Sequence, residues 1–191
     1  MGSDLGAADA RLWYLALIGL IAVQRIGELI LSNRHVRALE ARGAREVGRK
    51  HFPLMVIVHS AFLVSSALEP WVADRHFLPV VGGTALVVLV MAQLIRLWTM
   101  RSLGVLWTTR VMAVPGIERV TSGPYRWLRH PVYWVVVAEM AAVPMVLGSW
   151  VTATVFGLLH LAVIATRIRV ENRVLDAMPI PVDRTGGMSW G

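Results

Sequence analysis

The chain has 191 residues, of which 56% are apolar and only 16% charged, against about 25% charged residues in an ordinary globular domain. So much apolar content exceeds what one soluble core hides, which excludes a disordered chain and makes a membrane protein the expected class. The formal charge of +7 is spread between apolar stretches, not gathered in one block, so no nucleic-acid partner is expected. With no cysteine, there is no disulfide scaffold, thiolate-bound metal or Cys nucleophile.

A bilayer core of roughly 30 Å takes about 20 apolar helical residues. Five stretches suit it: 12–32, 52–68, 78–100, 132–147 and 150–166, the second and fourth being short. Unpaired backbone cannot face lipid, and no alternating pattern supports a barrel, so all five are expected to be helices. The predicted fold is all-α: one integral membrane domain of five transmembrane helices over residues 1–191. Its cofactor-binding elements are expected in the segments 102–131 and 167–191. The first apolar run contains Arg25 and Glu28 and has no small-residue cleavage site after it, so it is read as a span and not as a secretory signal.

Lys and Arg divide 15 to 2 between the two sides of these spans, with Arg25 and Arg96 inside them. The positive-inside rule therefore places the N-terminus outside and the first loop, third loop and C-terminal tail in the cytoplasm. Trp13, Trp71 and Trp150 would mark the outer interface, and Trp98, Trp107, Trp127 and Trp134 the inner one. The segment 102–129, rich in Trp, Arg and Pro, is expected to lie along the cytoplasmic face of the bilayer.

The densest constellation is Gly123-Pro124-Tyr125-Arg126-Trp127-Leu128-Arg129-His130-Pro131-Val132-Tyr133, just before the fourth apolar stretch. Gly-Pro sets a turn, and Pro131 suits the first position of a helix, where its missing N–H costs nothing. Beside Arg126, Arg129 and His130, that helix start reads as an anion-accepting corner or as an interfacial anchor touching lipid head groups. A second constellation, Arg167-Ile168-Arg169-Val170-Glu171-Asn172-Arg173-Val174-Leu175, continues the fifth span as a helix. Arg167 and Glu171 stand one turn apart, which alone would give a solvated ion pair. A hairpin through Gly148 and Ser149 brings His130 and Arg167 to one membrane face.

These residues resemble the isoprenylcysteine carboxyl methyltransferase family of integral membrane enzymes. The resemblance rests on GPYRWLRHPVY at 123–133, LGVLWTTRV at 103–111 and RVENRVL at 169–175. The chain is also similar to a bacterial branch that shares RIGEL at 25–29 and HFPLMVIVH at 51–59, whose members accompany type III polyketide synthases and methylate alkylpyrone or phenolic lipids. The resemblance implies S-adenosylmethionine as cofactor, held by His130, Pro131, Tyr133 and Glu171. The cofactor's carboxylate, amine, hydroxyls and adenine suit Arg, Glu, Tyr and free N–H groups, which extends the expected set to Gly123, Tyr125, Arg129 and Arg167. Asn172 stands where many relatives have a second Glu.

Arg25, Glu28, Arg96 and Glu139 lie inside apolar stretches, where a central charge costs roughly 2.5–3.5 kcal/mol on insertion scales, so each needs a partner or a wet cavity. Arg25 and Glu28 are three apart and can neutralise each other. Arg96, near the end of its span, would snorkel or line a pocket. Glu139 has no partner on its own helix and is expected to act as a base or as a counter-charge for an arginine. Together the four are the candidate catalytic set, with Arg25 or Arg96 holding the acceptor oxyanion. His59 and His160 are read as core histidines bonded to a neighbour, and no metal is expected, because no metal-ligand spacing occurs among the six histidines.

The sequence thus leads to an S-adenosylmethionine-dependent O-methyltransferase in a membrane, expected to be a bacterial inner membrane. Its acceptor would be lipid-like, either an alkylpyrone or phenolic lipid or an isoprenylcysteine-like carboxylate. Two alternatives are a sterol-type reductase using NADPH, which shares an RHPxY segment, and a small transporter or lipid-binding membrane protein.

Overall fold

A computed structural model describes residues 2–47 and 51–176, so the 177–191 part of the expected tail element lies outside the described residues. Five helices dominate: α1 (Gly2–Glu40), α2 (His51–Val72), α3 (Pro79–Leu103), α4 (Pro131–Met145) and α5 (Trp150–Asp176). Among the described residues, four of them, α1, α2, α3 and α5, are long and apolar enough to cross a membrane. The remaining helix, α4, has 15 residues, which at 1.5 Å per residue rises only about 22 Å. It compensates by enclosure: Val135, Glu139, Met140, Ala142 and Val143 are buried, and it packs on α3 and α5. Apolar side chains such as Leu20, Val80, Val90 and Leu158 point outward instead, as a surface solvated by lipid requires.

The packed interior gathers Tyr14 and Ile18 of α1, Phe62 of α2, Leu89 of α3 and Met140, Val143, Val146 and Leu147 at the end of α4. Because a phenol in such a place needs a partner, the Tyr14 hydroxyl donates to the Val143 carbonyl at 3.0 Å. At Gly82 a Cβ would meet the Val146 carbonyl oxygen at 2.6 Å, so only glycine lets α3 come this close to the end of α4. The expected hairpin forms between α4 and α5, with Gly148 at φ +67 in the left-handed region open to glycine. Glu69 of α2 caps α5 by accepting from Thr152 N at 2.7 Å, which satisfies a helix-start N–H away from water.

Three expectations need correction. The fold is not purely helical: β1 (Arg45–Val47) and β2 (Val111–Ala113) pair antiparallel, Glu46 opposite Met112. The first helix does not stop near residue 32: α1 runs to Glu40 and carries Arg34 and Arg37 on helix, not loop. Nor does 102–129 simply lie along a bilayer: Met112 and Val114 form a second core with Val36, Leu39 and Ala44. Trp107 is buried as well, and its carbonyl faces His35 Nδ1 at 2.7 Å. The apolar residues of this segment hide against the extended end of α1.

Candidate active site

The site begins at the turn Gly123–Arg126. Gly123 has φ +63, and a Cβ there would run into the Ser102 side chain, so glycine lets the turn press against the end of α3. His130 then occupies the N-cap of α4 and Pro131 its first turn, as the motif predicts. One turn later, the Tyr133 hydroxyl donates to Glu171 Oε2 of α5 at 2.5 Å. His130 reaches the same helix: Nε2 lies 2.9 Å from Asn172 Oδ1, and Nδ1 faces Glu171 Oε1 at 3.6 Å, an ionic contact longer than a hydrogen bond. Burial disfavours a charged His130, but the Glu171 carboxylate and the Asn172 oxygen outweigh it and hold the imidazole pKa above its ordinary value. Burial, reinforced by Glu171, pushes the Tyr125 phenol up.

Arg167 corrects a further expectation. It makes no ion pair with Glu171; its Nη2 donates to the Thr109 carbonyl at 2.9 Å and its Nε to the Tyr133 hydroxyl at 3.4 Å. The guanidinium thus ties α5 to the segment before β2 and leaves Glu171 to His130 and Tyr133. Arg129 closes the rim by donating to Asp176 at 2.5 Å.

Deeper in the helices, the four intramembrane charges form one network. Arg25 Nη1 meets Glu28 at 2.7 Å, and Nη2 meets Glu139 at 3.0 Å. Arg96 donates to Glu139 Oε2 at 2.5 Å and to Glu28 at 3.3 Å. Two amides complete it: Gln93 donates to Glu139 at 2.7 Å, and Gln24 to Glu28 at 3.0 Å. The network sums to zero charge, which removes most of the cost of placing four ions in an apolar layer. Arg96 is buried and paired, so it does not snorkel.

A cavity of about 810 Å³ connects both regions. Tyr125, Arg129, His130, Tyr133, Arg167 and Glu171 line its loop end, and Arg25, Glu28 and Arg96 its depth. Gly123, Pro131 and Glu139 are not in its wall: the first two shape the corner, and Glu139 sits behind the arginines. His160, expected in the core and bonded to a neighbour, is buried with Nδ1 against the Phe156 carbonyl, and both it and His59 also line the cavity. Sequence reasoning also missed Asn172 as a partner of His130, and Gln24 and Gln93 as partners of the glutamates. For the two glutamines the signal was an amide inside an apolar run, a costly placement without a hydrogen bond.

Residues 85–177 match the isoprenylcysteine carboxyl methyltransferase family, a stretch that contains both motifs of the corner. A Bacillus subtilis (strain 168) protein named "Uncharacterized protein YpbQ" is 33% identical over 160 residues, covering 84% of this chain and 95% of that protein. The chain belongs to the isoprenylcysteine carboxyl methyltransferase family. This family is one of membrane methyltransferases, and the four apolar helices agree with an integral membrane protein. A Haemophilus influenzae protein named "Uncharacterized protein" is 26% identical over 153 residues, 80% of this chain and 88% of that one. No solved structure matches the chain.

Proposed function

We propose that the chain transfers a methyl group from S-adenosylmethionine to an oxygen of a lipophilic acceptor, with the cofactor bound at the loop end of the cavity. The carrying observation is the cavity itself, which joins a polar corner of both charges to an apolar interior walled by α1, α2 and α5. The corner fits the cofactor on chemical grounds. Arg129 and Arg167 suit a carboxylate, Glu171 an ammonium or ribose hydroxyls, and Tyr125 and Tyr133 an adenine face. His130 Nδ1 makes no hydrogen bond among the described residues and meets only the longer 3.6 Å contact with Glu171, which leaves it able to bond a ligand.

Bound there, the cofactor supplies an electrophilic methyl group on a sulfonium. The chain's own part is to align the acceptor oxygen and exclude water. Of the deep charges, Arg25 is the better candidate to steady that oxygen: it lines the cavity and is 14% exposed, against 5% for Arg96. Glu139 serves this reading as a counter-charge, since both its oxygens are taken by donors.

The acceptor class follows from the apolar depth: an oxygen head with a long hydrocarbon tail, each buried CH2 adding up to about 0.8 kcal/mol. Alkylpyrones and alkylresorcinols fit, and a type III polyketide synthase makes such compounds. The test is methyl transfer from labelled S-adenosylmethionine by purified protein in lipid. Long-chain polyketide lipids should be labelled with a higher kcat/KM than short-chain analogues. A preference for a farnesylated cysteine carboxylate would change the acceptor class, and transfer to neither class would refute the function.

The cavity's loop end is assigned to the cytoplasm. In this cysteine-free chain, a cysteine replacing exposed His76, between α2 and α3, should be labelled from outside intact cells. One replacing exposed Ala41, after α1, should be labelled only after permeabilisation. The reverse pattern would contradict the orientation.

A further inference from the structure

A neutral hydroxyl must lose its proton when it is methylated, and the carboxylates of the site are poorly placed to receive it. Glu139 Oε1 accepts from Arg25, Gln93 and Arg96, its Oε2 accepts from Arg96, and the residue is outside the cavity wall. Glu28 is held by Gln24 through one oxygen and by Arg25 and Arg96 through the other. At the cofactor corner His130 is engaged by Asn172 and Glu171, and Glu171 by Tyr133 through one oxygen and His130 through the other.

Two further basic side chains border the cavity: His59 of α2 and His160 of α5, their ring centroids 5.7 Å apart. His160 Nδ1 lies 3.1 Å from the Phe156 carbonyl oxygen. Only an N–H satisfies that contact, so in the neutral ring the proton sits on Nδ1 and Nε2 keeps a free lone pair. This Nε2, on a residue 3% exposed, has no hydrogen-bond partner among the described residues, and neither has His59 Nε2. Two imidazole nitrogens without partners in one apolar region leave two lone pairs free to accept a proton. Their height fits as well. His160 lies on the cavity side of α5 with Arg167 and Glu171, seven and eleven residues before them, or about 10 and 16 Å deeper along the helix. Arg25 and Arg96 act electrostatically on His59, together with His160, and the two arginines favour an acceptor oxyanion formed beside the histidines.

We propose that His160, with His59 beside it, is the general base that takes the acceptor's hydroxyl proton. This rests on the methyl-transfer reading. The new O–CH3 bond forms as the methyl–sulfur bond breaks, and that bond's electron pair stays on sulfur. The hydroxyl proton passes to His160 Nε2, which later returns it to water. The Phe156 carbonyl positions the ring throughout, and Arg25 faces the developing oxyanion.

The test uses two acceptors of equal chain length: a long-chain phenol, protonated at neutral pH, and its dinitro-substituted counterpart, already ionised. The His160→Gln protein should bind S-adenosylmethionine as the wild type does. Its kcat/KM for the phenol, relative to that for the ionised acceptor, should fall by about a hundredfold or more. His59→Gln should lower the same ratio less. An unchanged ratio, whether both rates persist or both fall together, would overturn the base assignment. Absence of transfer by the wild type to either compound would instead overturn the methyltransferase reading. If His160→Gln does not fold, wild-type rates across phenols of graded acidity decide. Rates that fall in step with acceptor acidity, as a base-free reaction requires, would overturn the proposal.

Discussion

The two polar regions of this molecule use similar residues to opposite ends. In the deep network every carboxylate oxygen of Glu28 and Glu139 has a donor and the charges cancel, with Arg25 Nε left without a hydrogen bond among the described residues. At the loop-end corner, His130 keeps a buried nitrogen unbonded, and Tyr125, Arg129 and Arg167 border open space. Paired carboxylates stabilise the helices, whereas the incompletely bonded groups, His130 at the corner and Arg25 in the depth, are available to a ligand. Membrane depth enforces the contrast, because an unpaired charge costs far more among apolar helices than near the aqueous rim.

The largest expected effect lies in the closed network. Glu139→Ala leaves Arg25 and Arg96 facing each other and should cost about 3–5 kcal/mol of stability, read as a large drop in Tm of the solubilised protein. An unchanged Tm would mean that the network is not structural. The open corner should respond the other way. His130→Ala and Glu171→Ala should keep the fold and each weaken S-adenosylmethionine binding by roughly 1.5–3 kcal/mol, as for hydrogen bonds to charged groups. Loss of folding with no change in affinity would merge the two regions into one structural class.

A smaller effect is pH dependence confined to the corner. Because His130 is held above its ordinary value of about 6.5, its pairing with Glu171 contributes fully below that pH. The contribution is lost as pH rises through the raised value. Wild-type Tm should therefore carry a component that declines over this window, and His130→Gln should remove it. A component that survives the substitution would belong to another group.

The sequence carried much of both regions. Apolar length marked the helices, and Pro131 after His130 marked the start of α4, since a proline there can begin a helix but not continue one. The i,i+3 spacing of Arg25 and Glu28 foretold their ion pair. Other features depended on partners distant in the chain. Strands of three residues are too short to show a period, so the pairing of 45–47 with 111–113 left no trace. Spacing suggested Arg167–Glu171, but tertiary contacts gave Arg167 to Thr109 and Glu171 to Tyr133. The partner of Glu139 could not be read from its own helix, because three different residues of α1 and α3 supply it. Asn172 shows the same limit: its position read as a departure from a paired-glutamate pattern, whereas its side chain meets His130.

The central claim is that the open corner is a cofactor site, and calorimetric titration of the detergent-solubilised protein tests it most directly. Wild type should bind S-adenosylmethionine with a measurable heat, bind NADPH not at all, and lose affinity in Glu171→Ala. Binding of NADPH in place of S-adenosylmethionine, or wild-type affinity in a folded Glu171→Ala protein, would contradict the account.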